Sequence, residues 1–305
     1  MAAPPTPPSP LIFDRRLLRA RHRRAASLGP ATFLLDRVAD DITDRLATVK
    51  RRFDLALDLG TPGEAVRAAL ARVGSVGTIV AAAAFPAGGA GRVTPFVIAD
   101  EEALPFGDAT LDLVVSALAL QFVNDLPGTL VQIRRALKPD GLLLAALLGG
   151  ETLTELRESF AAAESETTGG VSPRVAPFAD LRDLGALLQR AGFALPVTDT
   201  DRLTVRYDSA FALMRDLRRM GATTILVDRR RRPLRRATLV RMAEIYAQRF
   251  ADPDGRVRAT FEIVWLSGWS PHPSQQQPLK PGSAAARLAD ALGTQEVSTG
   301  VKGER

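Results

Sequence analysis

A glycine turn follows a short apolar run near residue 60, and this spacing could bind a nucleotide-like ligand. The run from 53 to 59 stops at Gly60, and a helix is indicated from Glu64 onward. Glycines let the backbone approach a ligand closely, and a helix start offers unpaired N–H groups. Asp58 is expected to point its carboxylate into the same crevice. An ordinary strand–glycine–helix turn without a ligand is an equally good interpretation of this stretch alone.

The amino-acid composition excludes several kinds of metal and catalytic site. The chain has 305 residues, 46% hydrophobic and 24% charged, which is typical of a globular protein with a substantial core. It has no cysteine, so disulfides and thiolate metal sites are excluded. Two histidines are too few for a histidine-rich metal centre, and no serine–histidine triad is indicated. We therefore predict no metal site and identify no catalytic residue. No apolar run reaches the length of a membrane span.

The net charge of +6 comes mainly from arginine. Arginine clusters of this density could face an acidic protein or an anionic membrane surface, the latter through the N-terminal cluster. The simpler interpretation is a set of solvated helix faces. No aromatic side chains interleave the clusters, so no nucleic acid is expected. The clusters comprise Arg15, Arg16, Arg19, Arg21, Arg23 and Arg24, and then Arg229 to Arg232 with Arg235 and Arg236.

Apolar periodicity predicts strands alternating with helices after two N-terminal helices at 11–29 and 31–51. Such alternation implies a parallel sheet covered by helices, with ligands outside the carboxyl ends of the strands. The loops at those ends are 60–63, 100–106 and 116–124. Predicted strands are 53–59, 77–81, 94–100, 111–116 and 142–148; predicted helices are 63–73 and 125–137; Lys138–Gly141 is a predicted turn.

The second half is predicted to be helical with a late pair of strands. Helices are expected at 151–165, 178–191, 209–220 and 234–250, an extended segment at 195–207, and an edge strand at 257–266. The domain organisation that follows is a disordered proline-rich segment at 1–10, basic helices at 11–52, a core at 53–150, a cap with the last strands at 151–270, and a tail at 271–305.

Three motifs in the core resemble those of class I S-adenosylmethionine-dependent methyltransferases: 99–106, 111–116 and 133–141. A narrower resemblance spans nearly the whole chain, through segments such as Phe13–Arg16, Asn124–Gly128, Gly149–Arg157 and Gly268–Gln276. These are similar to the methyltransferase-like family of respiratory complex I assembly factor 5, itself related to malonyl-acyl-carrier-protein O-methyltransferase. The resemblance implies a Rossmann-like α/β sheet with helices on both faces, an N-terminal helical segment and a C-terminal helical insertion with late antiparallel strands.

The resemblance also implies roles for individual positions. Asp58, Gly60 and Gly63 would accommodate the methionine part of S-adenosylmethionine, Asp100 and Glu101 would meet its adenine, and Ser116 to Gln121 would lie beside the sulfonium. Substrate-side candidates are Arg174, Arg219, His272 and Gln275. Because the sulfonium is already an activated electrophile, the protein would mainly position the nucleophile.

Two departures from the family pattern weaken the predicted cofactor site. Pro62 stands where the motif has its middle glycine, and Glu64 adds a negative charge nearby. The second strand ends in alanines, with no acid before Asp100 to hold the ribose hydroxyls. Each lost charged hydrogen bond removes on the order of 1.5–3 kcal/mol.

Three functions stay open from the sequence. The first is action on a protein substrate, a complex I subunit, by methylation or by the arginine hydroxylation attributed to this family branch. The second is methyl-ester formation on an acyl-carrier-protein substrate. The third is a degenerate fold acting as a binding chaperone without chemistry. The expected location is the cytoplasm, or the mitochondrial matrix in a eukaryote.

Overall fold

The computed structural model describes residues 11–85, 94–276, 290 and 293–294. The chain divides into two compact units, Met1–Pro271 and His272–Arg305, and every helix and strand named below belongs to the first. The predicted disordered segment 1–10 and most of the predicted tail lie outside the described residues. The finer domain boundaries within 11–270 stay predictions.

Helices and strands alternate through the core, as the apolar periodicity indicated. The helices are α1 Arg15–Ser27, α2 Phe33–Ala47, α3 Ala65–Leu70, α4 Leu126–Ala136, α5 Thr154–Thr168, α6 Leu181–Arg190, α7 Ala210–Arg219 and α8 Arg236–Phe250. The strands are β1 Phe53–Leu59, β2 Val76–Ala83, β3 Phe96–Ile98, β4 Leu111–Ala117, β5 Leu137–Leu148, β6 Ala194–Tyr207 and β7 Val257–Trp269.

The strands form one seven-stranded sheet in the order β3-β2-β1-β4-β5-β7-β6. The first five strands are parallel, while β7 pairs antiparallel with both β5 and β6. The strand order reverses between β1 and β4, and ligands of open α/β sheets bind at such a switch point. This topology therefore places the glycine turn after β1 at the expected crevice.

The prediction that residues 257–266 form an edge strand is wrong. Strand β7 lies inside the sheet and is buried along most of its length, whereas β6 is the edge and alternates between half-buried and exposed residues. An apolar run such as Ile263 to Leu266 is typical of a strand covered on both faces, and this signal outweighs the apparent alternation.

The predicted turn Lys138–Gly141 is instead an irregularity within strand β5. Leu111 pairs with Leu137 and Leu113 pairs with Leu142, so the intervening residues bulge out of register. Asp140 there has a φ of 63°. The turn-forming residues thus kink a continuous strand, as in a β-bulge.

Two apolar layers cover the sheet. One contains α2, α3, α5, α7 and α8, and the other contains α4 and α6. The fully buried Trp265 belongs to the first layer, and the guanidinium of Arg45 lies 4.2 Å from the centre of its ring. Side chains of both layers pack against the strands, and this packing fixes the positions of the carboxyl ends of β1 and β4.

Candidate functional site

The glycine turn is anchored at the switch point of the sheet by its neighbours. Gly60 has a φ of 72°, and its N–H donates to the carbonyl of Ala82 on β2 at 2.7 Å. The Thr61 hydroxyl accepts from the N–H of Ala117 on β4 at 3.1 Å. A left-handed φ favours glycine, which explains the residue type. The turn is thereby fixed to the strands on both sides.

Asp58 does not offer its carboxylate to the crevice, contrary to the prediction. The residue is 2% exposed, and its Oδ2 accepts from Nη1 of Arg67 on α3 at 2.8 Å. Burial raises the pKa of Asp58 to about 6, although Thr61 and Arg67 both act to lower it. The carboxylate therefore ties β1 to α3.

Ser116, predicted beside the sulfonium, is also a structural residue. It is fully buried within β4, and its hydroxyl donates to the carbonyl of Leu59 on β1 at 2.8 Å. The prediction placed it at the junction of the strand with the loop that follows, whereas β4 extends to Ala117 and keeps Ser116 within the sheet. Gln121 does lie in that loop, and its Nε2 donates to the carbonyl of Leu118 at 2.8 Å.

Asp100 and Glu101 lie in the loop after β3, as predicted, but arginines of α1 bind both. Arg15 pairs with Asp100 at 2.8 Å, with Glu101 more closely, and with Glu102 at 3.4 Å. Arg19 also pairs with Asp100. The Arg15 side chain is only 13% exposed, so these charges are largely shielded from solvent. We call this set of five side chains the α1–acidic loop cluster.

The N-terminus of α1 is fixed next to this cluster. The side chain of Asp14 caps the helix by accepting from the N–H of Leu17 at 2.9 Å. Asn124 accepts from the N–H of Phe13 at 2.8 Å and from that of Ile12 at 2.9 Å. The helix thus lies across the carboxyl ends of the strands in a defined register.

The space left at the turn is small, and we call it the adenosyl corner. It has a volume of about 40 Å³ and is bordered by Gly60, Pro62, Phe85 and Glu101 together with Arg15 and Arg19 of α1. Small-molecule pockets have volumes of roughly 300–1,000 Å³. A Cβ atom at Gly60 would lie 2.7 Å from Oε1 of Glu101, which shows how closely the glutamate covers the turn.

The residues of the adenosyl corner do not fit S-adenosylmethionine in this arrangement. β2 ends at Ala83, and the sequence has no acidic residue between Ala83 and Asp100 that could bind the ribose hydroxyls. The carboxylates of Asp100 and Glu101 are already paired with arginine, and Pro62 offers no N–H to a ligand. Within the corner itself, therefore, neither the free volume nor the available hydrogen-bonding groups match an adenosyl ligand.

A much larger cavity of about 880 Å³ lies beside the corner and shares His22, Pro62 and Phe85 with it. We call it the apolar cavity. Predicted site residues Gly63, Gln121, Arg174 and Arg219 line it. Most of its wall is apolar and comes from α2, α5, α7, the strands β5 and β7, and the segments that follow β4, β5, α5 and α7: Leu34, Leu35, Leu118, Phe122, Leu148, Leu153, Leu156, Phe160, Val175, Phe178, Met214, Leu217, Met220, Ile225, Leu234 and Phe261.

The two arginines predicted on the substrate side meet the cavity differently. Arg174 is held by the fully buried carboxylate of Glu164, with Nε donating to Oε1 at 2.8 Å. Arg219 is 46% exposed and donates through Nε to the carbonyl of Gly29 at 2.7 Å. Arg174 is therefore mainly a structural partner of Glu164, while Arg219 lies at the rim.

His272 and Gln275 belong to the second unit, and their substrate-side roles stay predictions. Nδ1 of His272 lies 2.6 Å from the Ser274 hydroxyl. In the described part of the chain, no three histidine, aspartate or glutamate side chains are grouped so that they could hold a metal ion. Within the same residues, no helix has both the length and the apolar character needed to cross a membrane.

His22 lines both cavities and was missed by the sequence analysis. Burial, with a smaller contribution from Arg15, lowers its pKa to about 4, so it is neutral at physiological pH. A Cβ at Gly221, whose φ is 74°, would lie 2.5 Å from its ring. The helical spacing of Arg15, Arg19 and His22 on α1 was the available signal, because residues three and four apart share a helix face.

Comparison with known proteins supports the fold. The family described as "Methyltransferase domain" matches residues 57–145. The crystal structure of a putative methyltransferase from Bacillus halodurans superposes with a TM-score of 0.51 at 19% identity, covering 76% of this chain and 98% of that one. These findings confirm the predicted Rossmann-like class I methyltransferase fold.

Two groups of relatives match at higher identity. Arginine-hydroxylase NDUFAF5, mitochondrial, from Homo sapiens is 41% identical over 287 residues, covering 92% of this chain and 83% of that protein. Malonyl-[acyl-carrier protein] O-methyltransferase from Laribacter hongkongensis is 39% identical over 191 residues, covering 63% of this chain and 62% of that protein. The first match therefore extends well beyond the methyltransferase core, and the second covers less of both chains.

Proposed function

Because this chain belongs to the NDUFAF5 family of methyltransferase-fold proteins, we propose that it assists respiratory complex I assembly by modifying a protein substrate at an arginine. The observation that carries the proposal is the 41% identity to the human arginine-hydroxylase, which extends over 92% of this chain. Similarity over the cap as well as the core supports a shared substrate, because the cap supplies most of the apolar cavity.

A second part of the proposal concerns whether this chain uses S-adenosylmethionine. Among the described residues of the adenosyl corner no carboxylate is available for the ribose, and the carboxylates predicted to meet the adenine are paired with arginines of α1. We propose that the chain does not use S-adenosylmethionine at this corner. The fold would then act as a scaffold that holds the apolar cavity, and no step of the reaction is assigned to the sulfonium.

Methyl transfer to malonyl-acyl-carrier protein is the second candidate function. The Laribacter relative supports it, but the match covers 63% of this chain. The exposed arginines 230–232 could contact an acidic carrier protein. Restored growth without biotin in a strain lacking that methyltransferase would establish this function, and failure of growth by an expressed, folded chain would remove it.

Deletion in the source organism tests the first proposal. We expect loss of NADH dehydrogenase activity and of one modification on a complex I subunit, seen by peptide mass spectrometry as the mass of one oxygen atom on an arginine. That oxygen atom would come from molecular oxygen, with an external two-electron reductant and two protons converting the second oxygen atom to water. Re-expression of the wild-type chain should restore both. Intact complex I in the deletion strain, with an unchanged set of modified peptides, would contradict the proposal.

The proposed cellular location of this chain follows from complex I as its proposed partner. The human relative is named as mitochondrial. We propose that this chain acts in the compartment that faces the matrix-side arm of the complex, namely the cytoplasm of a bacterium or the mitochondrial matrix of a eukaryote. Fractionation followed by immunodetection would test this placement.

A further inference from the structure

The apolar cavity is larger than an arginine side chain requires, and its wall has a consistent chemical character. Its volume of about 880 Å³ lies near the upper end of the roughly 300–1,000 Å³ found for small-molecule sites. Five phenylalanines contribute to the wall together with leucines and two methionines: Phe85, Phe122, Phe160, Phe178 and Phe261. Filling it with an apolar molecule would remove this surface from water, which is the main source of favourable binding energy.

Few groups in the wall could satisfy a peptide backbone. Besides charged residues, His22 and Gln121, the polar side chains that line the cavity are threonines. A bound peptide would bring an N–H and a C=O with each residue, and burying them without partners is costly. An unbranched apolar body with a single polar head group therefore fits the wall better than a peptide does.

The charges at the cavity indicate the sign of that head group. Arg23, Arg174 and Arg219 line it, against Glu64 as the only acidic side chain among the described lining residues. Arg174 is neutralised by Glu164, and His22 is neutral at physiological pH. Arg23 is exposed, and its guanidinium lies 5.6 Å from the centre of the Phe85 ring.

A hydrogen-bond donor is also available. Thr224, in the segment that follows Arg219, has a buried hydroxyl oxygen with no hydrogen-bond partner in the described part of the chain. A hydroxyl can donate to a carboxylate oxygen, and buried polar groups normally have a partner. Oε1 of Gln121, an acceptor in the same wall, likewise has no hydrogen-bond partner among the described residues, so these two buried atoms mark a polar part of the wall, and the sign of the head group rests on the arginines.

We propose that the apolar cavity binds an elongated aliphatic molecule with one anionic head group, such as a long-chain carboxylate, with the head group near Arg23 and Arg219. The inference does not rest on the proposed arginine modification, because the cavity, its charges and the unpaired hydroxyl are properties of this chain alone. Binding would place an aliphatic ligand beside the adenosyl corner.

Isothermal titration of the purified full-length chain with hexadecanoate, kept below its micelle concentration, tests the proposal. We expect one molecule bound per chain, and weaker binding of hexadecanol, which has the same body without the charge. Arg23→Gln should weaken hexadecanoate about threefold, the size typical of a partly exposed ion pair, and leave hexadecanol unchanged. Arg24→Gln is the matched control, since Arg24 is the exposed neighbour that does not line the cavity.

A second variant tests the position of the aliphatic body. Ala222→Phe adds a ring inside the cavity and should weaken both ligands by at least about tenfold. Circular dichroism shows whether this variant folds; if it does not, the comparison of Arg23→Gln with Arg24→Gln decides. Absence of hexadecanoate binding to the folded wild-type chain would overturn the proposal, as would equal affinities for hexadecanoate and hexadecanol or unchanged binding by folded Ala222→Phe. Complex I activity of the deletion strain is measured separately, so either proposal can fail alone.

Discussion

The buried carboxylate of Asp58 gives a quantitative test of the site's electrostatics. Asp58 is 2% exposed, and burial raises its pKa from 3.8 to about 6 despite the ion pair with Arg67. In the unfolded chain the pKa returns to the ordinary value. Between these two values the folded state holds a proton that the unfolded state has released. The stabilisation from this group is therefore fully present below about pH 3.8 and is lost as the pH rises through about 6.

The size of the effect follows from the pKa difference. Each pKa unit corresponds to about 1.4 kcal/mol, so lowering the pH from about 7.5 to about 4.5 should stabilise the wild-type chain by about 2 kcal/mol through this residue. Asp58→Asn has no proton to bind at this position. The difference in unfolding free energy between wild type and Asp58→Asn should therefore shift by about 2 kcal/mol toward the wild type over this pH range.

Urea unfolding followed by circular dichroism measures that difference at each pH, and the other titrating groups cancel because both chains share them. Asp54→Asn is the matched control: Asp54 lies on the same strand, but its side chain is 75% exposed. Its difference from wild type reports the effect of replacing a solvated carboxylate by an amide. A pH-independent difference for Asp58→Asn, or a shift of opposite sign, would refute the conclusion that desolvation dominates at Asp58.

Two further substitutions test the packing around the cavities. Gly60→Ala should cost about 1–2 kcal/mol more in urea unfolding than Gly255→Ala, because both glycines have a left-handed φ but only Gly60 is crowded by neighbouring side chains; equal losses would contradict this. Arg174→Met should destabilise the chain by about 3–5 kcal/mol because it leaves the buried carboxylate of Glu164 unpaired, whereas Arg241→Met, which breaks a surface pair, should cost much less. Thermal melts that rank these two arginines the other way would refute the structural role of Arg174.

The fold was largely predictable because apolar periodicity is a local signal. Strand β1 was placed at its observed bounds, and β4, α4, α7 and α8 within one or two residues. The prediction of strand boundaries failed where the pairing of one strand with its neighbour determines whether the strand continues. The bulge at Lys138–Gly141 looks like a turn in sequence, and only the register with β4 shows that the strand continues through it.

The site was less predictable because its charges are neutralised by residues far away in sequence. The carboxylates of Asp100 and Glu101 are near the predicted adenine position, yet Arg15, about 85 residues earlier, binds them. Arg67 likewise takes the carboxylate of Asp58. The spacing of a motif places such carboxylates along the strands. It does not reveal which arginines of other helices are already paired with them. The altered first motif and the missing second-strand acid were visible in the sequence, and both are consistent with the small adenosyl corner.

The closed adenosyl corner is the central claim, and calorimetric titration with S-adenosylmethionine tests it most directly. The wild-type chain should release no binding heat at millimolar ligand. An Arg15→Ala variant that keeps its fold would show whether the α1–acidic loop cluster or the missing ribose carboxylate is the larger obstacle. A saturable isotherm for the wild-type chain, with one ligand per chain and micromolar affinity, would contradict the account.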